Sequence, residues 1–176
     1  MSTISNTPTG VQNIEDGPLD VVVVPSVAGI EYQHGDIIVL GGPGGTEGDD
    51  LTNAYPVQAL TADTISNLQT AISSYFLGIS NGYIAALNTR TDNKLPIATR
   101  GRVRLDITDA TFLPIGTLVA VATESDGAGA YIPLARTVES TATDSKAIGR
   151  LVAPKAAADT TALVEFRGHI TTGPQT

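Results

Sequence analysis

Cysteine is missing from the chain, which removes disulfides, thiolate metal sites and cysteine nucleophiles together. Tryptophan is also absent and aromatics reach only 5%, so the core must be aliphatic. Its abundant Val, Ile and Thr suit strands better than helices. No stretch approaches the roughly 18 apolar residues that a membrane helix needs. The opening MSTISNTPTG has neither the basic start nor the apolar run of a signal peptide. Synthesis in the cytoplasm, with no membrane partner, is therefore expected.

Positive charge is missing from half of the chain. Residues 1–89 carry nine acids and no Lys or Arg, whereas residues 90–176 carry ten bases and nine acids. A net charge of −8 argues against nucleic acid as a partner, because phosphate contacts need clustered Lys and Arg. The acidic first half reads either as a solvated surface or as one side of a complementary pair.

What is present points to many short strands joined by turns: 18 glycines and 10 prolines, spread along 176 residues. That length suits one domain with a core of its own. Residues 1–19 are rich in Ser, Thr, Asn, Gly and Pro and read as an extended or flexible arm; residues 20–176 read as a single β-domain. Asp20-Val-Val-Val-Val24, closed by Pro25, predicts a strand buried on both faces. Further strands are predicted at 37–40, 54–60, 77–79, 95–107, 117–123, 131–138, 147–152 and 162–170. The spacing of Ile65, Leu68, Ile72 and Phe76 predicts one helix over 62–76, capped by Asp63 or Thr64. The expected fold is mainly β, an antiparallel sandwich or small barrel with one short helix.

The two halves echo each other, as pseudo-repeats over about 27–108 and 112–170. His34-Gly-Asp-Ile-Ile-Val39 matches Ile115-Gly-Thr-Leu-Val-Ala120, and Ala54-Tyr-Pro56 matches Ala130-Tyr-Ile-Pro133. Phe76-Leu-Gly-Ile79 matches Ala147-Ile-Gly-Arg-Leu151, and Thr99-Arg-Gly-Arg-Val103 matches Phe166-Arg-Gly-His-Ile170. The second copy is shorter because it lacks the helix. Glycine recurring at one point in both copies implies positive φ or a bulge there.

Catalytic signatures are sparse. The two histidines, His34 and His169, sit in a turn and at a strand end, without a G-x-S-x-G elbow or an H-E-x-x-H pair. The loop over 41–50 has five glycines but no G-K-S/T, and Glu47, Asp49 and Asp50 would repel phosphate. Those acids do not fit an EF-hand spacing either. No catalytic residue, cofactor or metal is assigned, and no enzymatic activity is expected.

Arginine is the one patterned charge. Arg100, Arg102 and Arg104 alternate with Gly101, Val103 and Leu105, which puts the three on one face of a strand. With Arg90 and Lys94 they make five of the ten bases within fifteen positions. Two readings stand: an exposed sheet face beside its own acids, or an interface patch that meets acid-rich surface on a neighbour.

Phe76-Leu-Gly-Ile-Ser80, Leu95-Pro-Ile-Ala-Thr-Arg-Gly-Arg-Val-Arg-Leu-Asp106, Ala110-Thr-Phe-Leu-Pro-Ile-Gly-Thr-Leu-Val119, Ala147-Ile-Gly-Arg-Leu-Val152 and Leu163-Val-Glu-Phe166 together resemble the capsid decoration (cement) proteins of tailed bacteriophages. The resemblance implies a non-enzymatic structural protein on the outer surface of the virion, clamping major capsid protein subunits as a homotrimer at local three-fold positions. It brings no active site. The competing expectation is a β-rich receptor- or carbohydrate-binding module, for which Tyr32, Tyr55, Tyr75, Tyr83 and Tyr131 would have to cluster.

Overall fold

A computed structural model describes residues 12–14, 20–41, 53–86 and 93–168. The fold is mainly β: ten strands with one α-helix among the described residues. Its spine is β6 (Lys94–Ile107), 14 residues long. One edge of β6 takes β2 (Asp20–Pro25) and β1 (Gln12–Ile14), then the end of β8 (Tyr131–Ser140). The other edge takes β5 (Phe76–Ser80) and then β10 (Thr161–Arg167).

From β6 the circuit runs through β10, β9 (Gly149–Leu151), β7 (Leu118–Ser125) and β8, and back to β6. The second half is therefore a closed five-strand barrel, which removes its open edges. The closing contact is parallel, Asp106 to Thr137 and Ile107 to Val138, so the fold is not wholly antiparallel.

The first half repeats this circuit with β2, β6, β5, β3 (Ile37–Leu40) and β4 (Ala54–Pro56). Its parallel closure shrinks to a single bridge, Ser26 to Ala54. Equivalent hydrogen bonds fix the correspondence. Gly35 N donates to Ser80 O at 2.8 Å and Gly116 N to Leu151 O at 2.9 Å; Ser80 N donates to Asp36 O and Leu151 N to Thr117 O. Gly35 and Gly116 both hold positive φ, 91° and 86°. Strand β2 plays in the first circuit the part that the C-terminal half of β6 plays in the second. The structural units are therefore 20–100 and 101–168, beginning one strand earlier than the sequence landmarks imply. The Ala-Tyr landmark also moves: Ala54 faces Leu40 as Val138 faces Val121, so Ala54 corresponds to Val138 and not Ala130.

Glycine makes the strand junctions possible. A Cβ on Gly78 would lie 2.0 Å from Ala98 O, and one on Gly149 would lie 2.5 Å from Glu165 O, at the same point of each copy. Apolar packing forms two clusters. The smaller fills the first circuit with Tyr32, Ile38, Ala54, Leu77, Ile84, Leu95 and Ile97. The larger fills the second barrel, including Val103, Val119, Val138, Val164 and Phe166, and continues under the helix through Ile37, Ile79, Leu68 and Ile72.

Several expectations are corrected. Strand β2 is not buried on both faces: Val21, Val22 and Val23 are exposed, because its only partner strand is β6 among the described residues. Residues 54–60 do not form one strand, since β4 stops at Pro56 and a 3-10 turn, Val57–Ala59, follows. Helix α1 is Ile65–Tyr75, and the Thr64 side chain caps it by accepting from Asn67 N. Its buried face is Leu68, Gln69, Ile72 and Ser73, leaving Ile65 exposed, while Phe76 already opens β5. Of the expected arm only Gln12–Ile14 is described, as β1; the rest of 1–19 and residues 42–50 of the acidic loop lie outside the described residues.

Candidate functional site

On β6, Gly101, Val103 and Leu105 are buried, while Arg100 and Arg102 are exposed and Arg104 is half-exposed. The three arginines thus line the outer wall of the second barrel. Two further arginines join them there, Arg150 from β9 and Arg167 from β10. Both are register neighbours of this row: Arg167 stands opposite Arg100, Glu165 opposite Arg102 and also opposite Arg150. Glu165 is shared, with Arg150 Nη2 at 2.9 Å and Arg102 Nε at 4.0 Å. Neither Arg100, Arg104 nor Arg167 has an ion-pair partner among the described residues. Asp20 stands opposite Arg100 on β2, without an ion pair between them.

Arg100 and Arg167 occupy the same position in the two copies and also face each other across β6 and β10. Like charges directly opposite on a sheet are destabilising. An open groove of about 410 Å³ lies here, bounded by Arg100, Arg150, Arg167, Glu165, Phe166 and Gly149.

Duplication explains why the groove is open. The corresponding face of the first copy carries Ile79 where the second has Arg150, and Ala98 where it has Glu165. That face is packed in the large core with Leu68 and Ile72 of α1. The second copy has no helix insertion, and polar residues replace the apolar ones. At the first strand the substitution is reversed: Val21 and Val23 stand where Arg102 and Arg104 stand in the second copy. One barrel thus presents an apolar stripe and the other an arginine stripe at equivalent positions.

The remaining basic candidates fall elsewhere. Lys94 is separated from Arg100 by Pro96 and buried Ala98, roughly 20 Å along the strand, and does not join the cluster. Arg90 and His169 lie outside the described residues. His34 is half-buried in the turn before β3. The tyrosines do not form a stacking platform among the described residues. Tyr32 is buried with its hydroxyl donating to Ala54 O, and burial raises its pKa; Tyr55, Tyr75 and Tyr131 lean on the large core; Tyr83 is exposed. No group of three or more Asp, Glu or His with metal-holding geometry exists among the described residues. None of the described helices is long and apolar enough to cross a membrane.

Sequence reasoning misses Arg150, Arg167 and the role of Glu165. The signal lies in the repeat itself: aligning Thr99-Arg100-Gly101 with Phe166-Arg167-Gly168 pairs the two arginines by sequence alone.

A second polar site joins the two copies. Asp36, in the turn before β3, is 2% exposed and receives Arg136 Nε from β8 at 2.8 Å and Gln33 N at 2.7 Å. Arg136 also donates to the Gln33 side chain. Burial pushes the Asp36 carboxyl above the usual carboxylate range, against the opposing pull of Gln33 N–H and Arg136. No protein-family model matches this chain, and no curated protein matches it in sequence.

Proposed function

We propose that the protein is a non-enzymatic virion structural protein that decorates and stabilises an icosahedral phage capsid. It binds the outside of the major capsid protein lattice and assembles with itself, as a homotrimer. The carrying observation is the exposed apolar strand β2: Val21 and Val23, at 44% and 60% exposure, face outward on a strand whose only partner strand among the described residues is β6. A row of exposed valines on an open edge favours pairing with another chain. Further support comes from the residues behind the resemblance, which lie largely on β5, β6, β7, β9 and β10, the strands around the shared junction. A duplicated module with different faces on its two barrels suits a protein that contacts several neighbours at once, where modest contacts add through multivalency.

The test is co-sedimentation with empty capsid shells of the phage that encodes the chain, comparing wild type with Val21→Glu/Val23→Glu. The fold should accept both charges, because Arg102 and Arg104 occupy the equivalent positions of the second copy. Each valine buried at an interface contributes about 1 kcal/mol or more. Shell affinity should therefore fall at least about tenfold while the melting temperature stays put. Unchanged binding by the double variant removes β2 from the interface, and absence of wild-type binding removes the capsid reading.

A further inference from the structure

We infer that the arginine groove of the second barrel is a docking site for the acidic first half of a second copy of this chain. The groove gathers Arg100, Arg150 and Arg167 around one carboxylate, Glu165, with Arg102 and Arg104 farther along the same face of β6, in a protein whose net charge is −8. Its sign is opposite to that of the molecule around it. Arg100 and Arg167 stand directly opposite each other in the β6–β10 register, a like-charge arrangement that is unfavourable in isolation and that an incoming carboxylate relieves. Guanidinium groups bind carboxylates in a planar, two-point fashion that ammonium groups do not. The groove is also pocket-sized and has apolar walls, Phe166, Ile148 and Leu118, so a bound side chain is partly shielded from water.

The partner follows from charge complementarity. Residues 1–89 contain nine acids and no Lys or Arg, and the densest carboxylates are Glu47, Asp49 and Asp50, three acids within four positions. No basic side chain within that half competes for them. A basic groove on one end of the chain and an acidic segment on the other make a head-to-tail contact, which leaves a free groove and a free acidic segment at every stage of growth until a ring closes. The inference deepens the self-assembly part of the proposed function, on which it rests, but needs no shell.

The experiment is sedimentation velocity of the full chain over a concentration series, from about 0.05 M to about 0.5 M salt, where screening becomes strong. Wild type should self-associate at low salt and dissociate as salt rises. Arg100→Glu/Arg167→Glu, with the groove reversed, and Glu47→Lys/Asp49→Lys/Asp50→Lys, with the acidic segment reversed, should each weaken self-association at least about tenfold. Mixed together, they should regain self-association, since each contact between the two variants again pairs opposite charges. Arg100→Gln/Arg167→Gln serves as the groove variant if charge reversal disturbs folding, with loss of self-association again expected. Wild type that stays monomeric at every salt and concentration overturns the inference, including the case in which the acidic segment fills the groove of its own chain. Self-association insensitive to either variant overturns it too. A monomer that still binds capsid shells would sink this inference and the self-assembly on which it rests but leave shell binding standing, and self-association without shell binding would sink only the capsid reading.

Discussion

Replacing Gly78 with alanine is expected to destabilise the protein by about 3 kcal/mol or more, beyond the ordinary range for overpacking. The new methyl group would sit 2.0 Å from Ala98 O, 2.9 Å from Ala98 C and 3.0 Å from Thr99 Cα, all of them backbone. Backbone cannot rotate away as a side chain can. Ala98 is also held from the far side by Val21 on β2, so relief requires parting β5 from β6. The same contact recurs in the second copy, so Gly149→Ala, 2.5 Å from Glu165 O, should behave alike. Gly29→Ala is the control: φ is +81° there, but nothing lies within 4 Å. It should cost only the roughly 1–2 kcal/mol of a left-handed alanine. Urea denaturation of the three variants checks the order. A Gly78→Ala midpoint no lower than that of Gly29→Ala would contradict the close approach on which the duplicated junction depends.

Arg136→Met should destabilise by about 3–5 kcal/mol near neutral pH, because it leaves the Asp36 carboxylate buried without its cation. For a chain of this size that is on the order of 10 °C in melting temperature. The pH dependence follows from the direction of the Asp36 shift. Burial raises its folded pKa, so its contribution to stability is fully present below the unfolded pKa and is lost as pH rises through the folded one. Without Arg136 the carboxyl gains a proton more readily still, and a neutral carboxyl needs no cation. Asp106, also raised by burial and also held down by Arg136, acts in the same sense. The gap between wild type and Arg136→Met should therefore be widest above neutrality and narrow as pH falls into the ordinary carboxylate range. Asp36→Asn/Arg136→Met should recover part of the loss. A gap that does not change with pH would show that Arg136 works through packing and not through Asp36.

Glycine spacing makes the duplication legible in the sequence. Gly35 and Gly116 hold a positive φ that side chains rarely adopt, and Gly78 and Gly149 have no room for a Cβ, so physical necessity wrote both pairs into the chain. Alternation at Arg100, Arg102 and Arg104 is legible for a similar reason, since β6 keeps a two-residue period through that stretch. Strand β2 is not. A run of valines has the same pattern whether it is covered or exposed, and only the pairing of β2, which has β6 as its sole partner strand among the described residues, tells the two apart. The dual role of β6 is hidden too. Nothing local in residues 94–107 says that one half closes one barrel while the other half opens the next; that depends on partners far back in the chain in β2 and on others far along in β10. Lys94 falls within the same short stretch as the arginines, but distance in sequence does not measure separation along an extended strand.

Glu165 shows how a site can be half visible. As one acid among eighteen it carries no signal. Placed between Arg102 and Arg150 by the β10 registers, it becomes the sole paired carboxylate of the groove among the described residues, and Arg100 and Arg167 have no ion-pair partner among them.

The most direct test of the account is the amount of wild-type protein that empty phage shells retain at saturation, measured by quantitative co-sedimentation with the shells' own major capsid protein as the internal standard. Binding that saturates at a fixed ratio to that protein, together with a higher shell melting temperature, is the predicted result. Retention that never saturates, or none at all, would contradict the proposed role in capsid decoration.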